Sequence, residues 1–547
     1  MYFNSKITLF LVAVNLLAVD SFGQQKVDTT KRQMVDITSS YKPMLRNAVK
    51  INFSATNLNA DTSKIISPYE IPAQNLFYSY QPASLKPLAL TQDSLLELGV
   101  RNFLKAGYGN FSTPYLKAGF SFGDGKKALL NVYADYISSR GNIINQDYAQ
   151  LNLKAAGSYF SEKNEMTGSI AMRQQDYYLY GYNHDLYSFN KNDVLQRFQT
   201  ISMAAGVKNK LLTKTGINYN PSVAVHIFNN PNKLYENSLL IKAPVEKTFN
   251  DVFTIKLSAS ADITTYTSKN LDINVKLNNN VYQIAPELIY AKPLLNIHAG
   301  VSPTWDNGKL HVLPNIYGEF KIKDDFLLAQ AGIVGRIVKN TFQHLSGINP
   351  YLQTISIQQN TKETEWYGGL KATLGKHFNF SAKASWLTFR NMPLFINDTL
   401  LGNTFNISND TKVSDLRLHG DLSYIMQDKF TITGGLTFNG YNSLQNNSRA
   451  WGTIPVEING SLRWWAFKQV LLKSDFWAYS ASPYLLKNNI QGTSSGGADL
   501  SIGTEIAVTK KISVWLDVNN LLNNKYERWR NYPVYGLNLL AGALIRF

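Results

Sequence analysis

The sequence predicts an all-β fold: a transmembrane, antiparallel up-and-down β-barrel of about 22 strands, within bounds of about 16 to 22, preceded by a short extended N-terminal segment. Three observations carry that expectation. Apolar and polar residues alternate at period two through most of the chain, short and long connections take turns between those runs, and the last run is amphipathic and ends on Phe547. The division that follows is 1–23 as a leader, 24–94 as the extended segment and 95–547 as the barrel.

Composition narrows the field first. The chain has 547 residues, 44% hydrophobic and only 17% charged, with no Cys. That excludes a disordered chain, a disulfide scaffold, a Cys-ligated metal protein and a thiol enzyme. Basic residues outnumber acidic ones, 54 to 38, but they are scattered singly and often sit at turns. Nucleic acid is therefore not an expected partner. Outer-membrane lipid and lipopolysaccharide head groups are, because cations at strand ends meet anionic lipid there.

Met1 to Gly23 reads as a cleaved secretory signal peptide, with Lys6 before the apolar run Ile7 to Val19 and small residues at Ser21-Phe22-Gly23. The apolar run is too short to span a membrane as a helix. Gln24 to Asp93 is polar and punctuated by Pro43, Pro68, Pro72, Pro82 and Pro87, so it does not fold alone. Its apolar stations, Ile65-Ile66, Leu76-Phe77-Tyr78 and Leu85 to Leu90, are more than a solvated tether requires. The expectation is that this segment, with inward-folded loops, occupies the lumen or periplasmic mouth of the barrel.

From about Leu98 the pattern is strands. Phe253, Ile255, Leu257, Ala259, Ala261 and Ile263 are apolar, and the residues between them are polar or charged. Phe378 to Trp386 and Phe430 to Phe438 repeat the pattern. Period two alone also fits a soluble sandwich. Loop lengths separate the two, since membrane barrels have short turns on one rim and longer loops on the other. Short turns are expected at Gly123 to Lys126, Ser161 to Glu165 and Thr509 to Lys511, and long loops at Gly181 to Leu195, Asn340 to Thr364, Arg390 to Lys412, Tyr441 to Gly452, Ala481 to Gly496 and Leu522 to Pro533. Aromatic clusters at Tyr177-Tyr178 with Tyr180, Trp464-Trp465 and Phe476-Trp477 with Tyr479 are expected in interfacial girdles.

In the final run Leu537, Leu539, Ala541, Ala543, Ile545 and Phe547 share one apolar face. Leu539, Ala541, Ala543, Ile545 and Phe547 are the candidate insertion signal, to be read by the barrel assembly machinery. With the preceding stretch Ile512 to Glu527 and with Tyr532-Pro533 and Gly536, this end of the chain resembles the C-terminus of TonB-dependent receptor barrels. The resemblance implies 22 strands and ligand uptake across the bacterial outer membrane. It also implies an inner-membrane energy-coupling partner. Val35-Asp36-Ile37-Thr38 resembles the short extended box through which that partner is engaged, by strand addition to a sheet edge. The departure is the plug: family members carry a folded one before the barrel, and here only Gln24 to Asp93 stands in its place.

No enzyme chemistry, cofactor or metal is expected. Gly492-Thr493-Ser494-Ser495-Gly496 spells a nucleophile motif but lies in a Gly/Ser-rich loop with no helix after it. The seven His residues are dispersed. The alternative to uptake is a non-transporting barrel serving as scaffold or accessory subunit, docking a periplasmic or lipoprotein partner.

Overall fold

Alternation at period two can only pay off if one face of each strand meets an apolar phase and the other does not, and the computed structural model shows which is which. It describes residues 102–547, apart from 232, 270–273, 324–325, 356–358, 376, 399, 427–428 and 487–488. The main sheet has 23 hydrogen-bonded segments, of which Ile217–Tyr219 and Ser222–Asn230 both pair with Leu234–Phe249 and are two halves of one strand interrupted at Pro221. The barrel thus has 22 antiparallel strands. Each pairs with its neighbours in sequence order, and the first, Phe103–Gly109, closes the sheet on the last, Asn538–Arg546, through the register Phe103 to Arg546 and Gly109 to Leu540. Closure leaves no unpaired edge, as a sheet in lipid requires.

The apolar face of every tested run points outward. Phe253, Ile255 and Leu257 are exposed, as are Phe380 and Trp386, and Ile432, Leu436 and Phe438. Intervening residues such as Lys256, Lys383 and Thr433 point to the lumen. With apolar residues outside and polar groups inside, the wall is turned inside out relative to a soluble sandwich.

The long connections 179–194, 339–360, 391–412, 443–455, 480–496 and 520–537 all emerge on one rim. The tight turns 124–127, 161–163, 250–252 and 508–511 lie on the other, with the chain end. By barrel convention the long-loop rim is extracellular. A few extracellular links are short: Asn307 and Gly308, both at positive φ (48° and 84°), make a two-residue hairpin. On the short-turn rim Asp124 accepts backbone N–H bonds from Lys126, Lys127 and Ala128 at 2.9, 2.8 and 3.2 Å. Those bonds pull its pKa down to about 2.

The aromatic clusters divide. Trp464 and Phe476 are exposed on the outer wall as girdle residues would be, but Tyr177, Tyr180 and Tyr479 are buried on the lumen side. The reason is strand parity: adjacent residues of one strand cannot both face lipid. Tyr180 lies past the strand end, in a loop that turns inward.

Candidate functional site

The lumen wall is a polar surface whose charges are neutralised within a strand, between neighbouring strands or across one intervening strand. Lys383 meets Glu365 at 2.6 Å, Arg336 meets Glu363 at 2.6 Å, Arg417 meets Asp415 at 3.0 Å, and Arg463 meets Asp475 at 2.9 Å. Near the other rim Arg546 reaches Glu505 at 2.5 Å, and Lys105 and Lys473 share Asp517 at 3.8 and 3.5 Å. Lys105 also lies 4.2 Å from the centre of the Trp515 ring. His298 donates or accepts at Glu287 at 2.5 Å and stacks on Tyr317 with ring centroids 4.3 Å apart. Ion pairs held this way are compatible with burial, whereas an isolated charge is not.

Above this wall the extracellular loops fold inward and interlock. The segment after Val338 starts the short helix α1 (Phe342–Ile348), capped by the Thr341 hydroxyl. Its first N–H groups, those of Phe342 and Gln343, bond the carboxylate of Glu236 on the wall at 2.7 and 3.1 Å. Phe342 packs into wall residues Phe198, Phe228 and Tyr266. Past the helix, Tyr351 stacks flat on Tyr532 from the 520–537 loop, and Tyr180 meets Tyr532 edge-on at 4.9 Å. Tyr180 donates to Pro533 O at 2.9 Å, and Tyr532 donates to Asn403 O.

The 391–412 loop contributes a ribbon of Met392–Asn397 paired with Phe405–Asp410. Its Phe395 and Phe405 clasp Trp529 edge-on at 5.2 and 5.3 Å. Asp398 ties the ribbon's own bend, accepting from the N–H groups of Leu400, Leu401 and Thr404 and from the Thr404 hydroxyl. Asp410 binds the 443–455 loop through the N–H groups of Gln445, Asn446 and Asn447 at 3.0, 3.0 and 2.9 Å. Burial alone would raise both carboxyls; the converging donors outweigh it and hold both below the ordinary Asp range. Burial also lowers the pKa of His344 on α1, keeping it neutral.

The arrangement is therefore a charge-lined lumen beneath an aromatic cap of several loops. The sequence pattern placed those loops on one rim and led to the expectation of inward folding, but did not show that aromatic residues would join them into a cap. Its signal was the aromatic content of Trp529, Tyr532 and Tyr535, more than a solvated loop needs.

Of the predicted site residues, Val35, Asp36, Ile37 and Thr38 lie outside the described residues, as does Gln24 to Asp93. Leu539, Ala541, Ala543, Ile545 and Phe547 share the outer face of the last strand, with Leu539, Ile545 and Phe547 well exposed. Ser494 of the G-x-S-x-G stretch is part of a loop hairpin, its hydroxyl accepting from the Ser482 N–H at 3.0 Å. Among the described residues no three His, Asp or Glu side chains are grouped to hold a metal.

No protein-family model matches the chain, and no curated protein does. Solved structures do. A mutant of the ferric enterobactin receptor of Pseudomonas aeruginosa superimposes with a TM-score of 0.61 at 10% identity, over 83% of this chain and 81% of that one. The FrpB iron transporter of Neisseria meningitidis gives 0.64 at 10% identity, over 83% and 82%. The siderophore receptor PirA of Acinetobacter baumannii gives 0.63 at 10% identity, over 82% and 80%. The fold of this chain is that of outer-membrane receptor barrels.

Proposed function

We propose that the protein takes up a ligand across the bacterial outer membrane as a TonB-dependent-receptor-like barrel. The observation that carries this reading is the charge-lined lumen of a 22-strand barrel under a cap built from several loops. In this reading the cap opens to admit ligand, the lumen conducts it, and Gln24 to Asp93 guards the periplasmic mouth. Val35 to Thr38 adds as a strand to an inner-membrane energy-coupling protein. The similar structures belong to ferric-siderophore and iron receptors, and an iron chelate is the ligand class to try first. The leader directs export, and the assembly machinery reads the Leu539 to Phe547 face.

The interlocking of the loops favours one other reading, a permanently closed barrel acting as scaffold for an envelope complex. Planar-bilayer conductance separates the two. The intact chain should be closed, and a chain lacking Gln24 to Asp93 and carrying Trp529→Ala with Tyr532→Ala should show a large steady conductance. If that doubly opened barrel stays closed, transport fails and the scaffold reading stands.

A further inference from the structure

The outer wall carries a second constructed surface, on the strands Lys309–Lys323, Leu327–Val338, Thr361–Leu374, Phe378–Arg390 and Val413–Met426. Cross-strand register arranges its outward residues in layers. At mid-height Gly318, Ala331, Gly368 and Ala384 stand side by side and leave a depression. The layer above it is Ile333, Trp366, Trp386 and Leu416, also in register. Together they bound an apolar groove of about 650 Å³ on the lipid side.

Above the tryptophans the next outward layer is hydroxylic: Thr364 and Thr388 are register partners. Above those, Lys362 and Arg390 lie directly opposite each other, and exposed Lys412 immediately precedes the neighbouring strand. Like charges directly opposed on one sheet face repel. Neither Lys362 nor Arg390 is ion-paired among the described residues, whereas two outward arginines on this rim are: Arg197 with Asp176 at 2.6 Å, and Arg140 with Asp147 at 4.0 Å. An unbalanced cation pair at the extracellular membrane boundary calls for an anion from outside the chain.

The order along the strands is cation, hydroxyl, indole, groove, from the extracellular rim inward. Six residues separate Lys362 from Gly368, roughly 20 Å along a strand and less along the membrane normal because strands tilt. That is about the depth of one leaflet of a roughly 30 Å hydrocarbon core. We propose that this face binds one phosphorylated, acylated glycolipid of the outer leaflet. Its phosphate lies against Lys362 and Arg390, its sugar or ester oxygens at the hydroxyl layer, and an acyl chain in the groove. The extracellular position of the cations selects the outer leaflet, and so the glycolipid over a periplasm-facing phospholipid. The site uses only the outer wall and does not depend on whether the lumen transports.

The test is native mass spectrometry of protein extracted from membranes in mild detergent. Wild type should retain one glycolipid per chain under conditions that strip bulk phospholipid. Gly368→Leu should lower the retained fraction at least tenfold; a Cβ at Gly368 meets no atom within 4 Å, so the side chain fills the groove without a clash in the wall. Lys362→Glu with Arg390→Glu should do the same, and Arg140→Gln should not. Heat-modifiable gel migration checks that each variant is folded, and adding purified lipid A to stripped protein should restore occupancy in wild type and in Arg140→Gln but not in the groove and cation variants. Equal retention by every folded variant overturns the proposal. So does wild type that retains only phospholipid, or no lipid at all.

Discussion

Two residue-scale features decide local stability by different physics. At the seam, Gly107 faces Gly542 in register because the Trp515 ring crosses there: a Cβ on Gly107 would lie 2.4 Å from Trp515 Cζ2, and one on Gly542 would lie 1.9 Å from Ala106 O. Neither backbone nor ring can retreat in a closed sheet. Gly542→Val should therefore block closure of the first strand on the last, abolishing the heat-modifiable band on gels; a normal band would refute the steric argument. At the cap, Asp410 concentrates backbone donors on one carboxylate. Its lowered pKa means this tie is fully present above the unfolded Asp value of about 4 and is lost as pH falls through the lower folded value. Hydrogen-exchange protection at Gln445, Asn446 and Asn447, corrected for intrinsic rates, should be constant from pH 7 to about 5 and fall below about 4. Asp410→Asn should remove that protection at all pH values, costing about 1–3 kcal/mol by turning an amide N–H₂ toward donors.

Among the elements, the cap is held by aromatic packing between loops rather than by a strand ladder. Trp529 sits between Phe395 and Phe405, and Tyr532 between Tyr351 and Tyr180. Trp529→Ala should cost about 3–5 kcal/mol of cap packing, while the wall keeps its own hydrogen bonds. The expected result is selective: proteolysis within 391–412 and 520–537 accelerates, and the barrel's heat-modifiable migration does not change. Loss of both together would mean that cap and wall fold as one unit. The Asp398 and Asp410 ties explain why the ribbon in 391–412 is ordered at all: each supplies in one side chain the partners that bend backbone would otherwise lack.

For the whole molecule, closure and occlusion are separate. The closed sheet satisfies every strand edge, and this is independent of what occupies the lumen. In the proposed uptake reading, access depends on two barriers, the cap and the Gln24 to Asp93 segment. Opening either alone should give only brief conductance events, and opening both a steady one. A steady conductance from deletion of Gln24 to Asp93 alone would show that the cap is no barrier.

Period two, loop parity and the aromatic end were enough to predict a closed barrel of about 22 strands, which connections share a rim, and which face of Phe253 to Ile263 meets lipid. These are local properties: a strand residue's face follows from its neighbours' parity, and loop length is counted along the chain. What only the tertiary structure decided is where the loops go. Tyr177, Tyr180 and Tyr479 look like girdle residues in sequence, and they are buried inside because parity and an inward loop place them there. The pairings of Lys105 with Asp517 and of Phe342 with Tyr266 join residues far apart in the chain. So does the layering of Lys362 and Arg390 over Trp366 and Trp386. Such juxtapositions depend on register between strands, which hydrogen bonding across the closed sheet fixes and no single strand encodes.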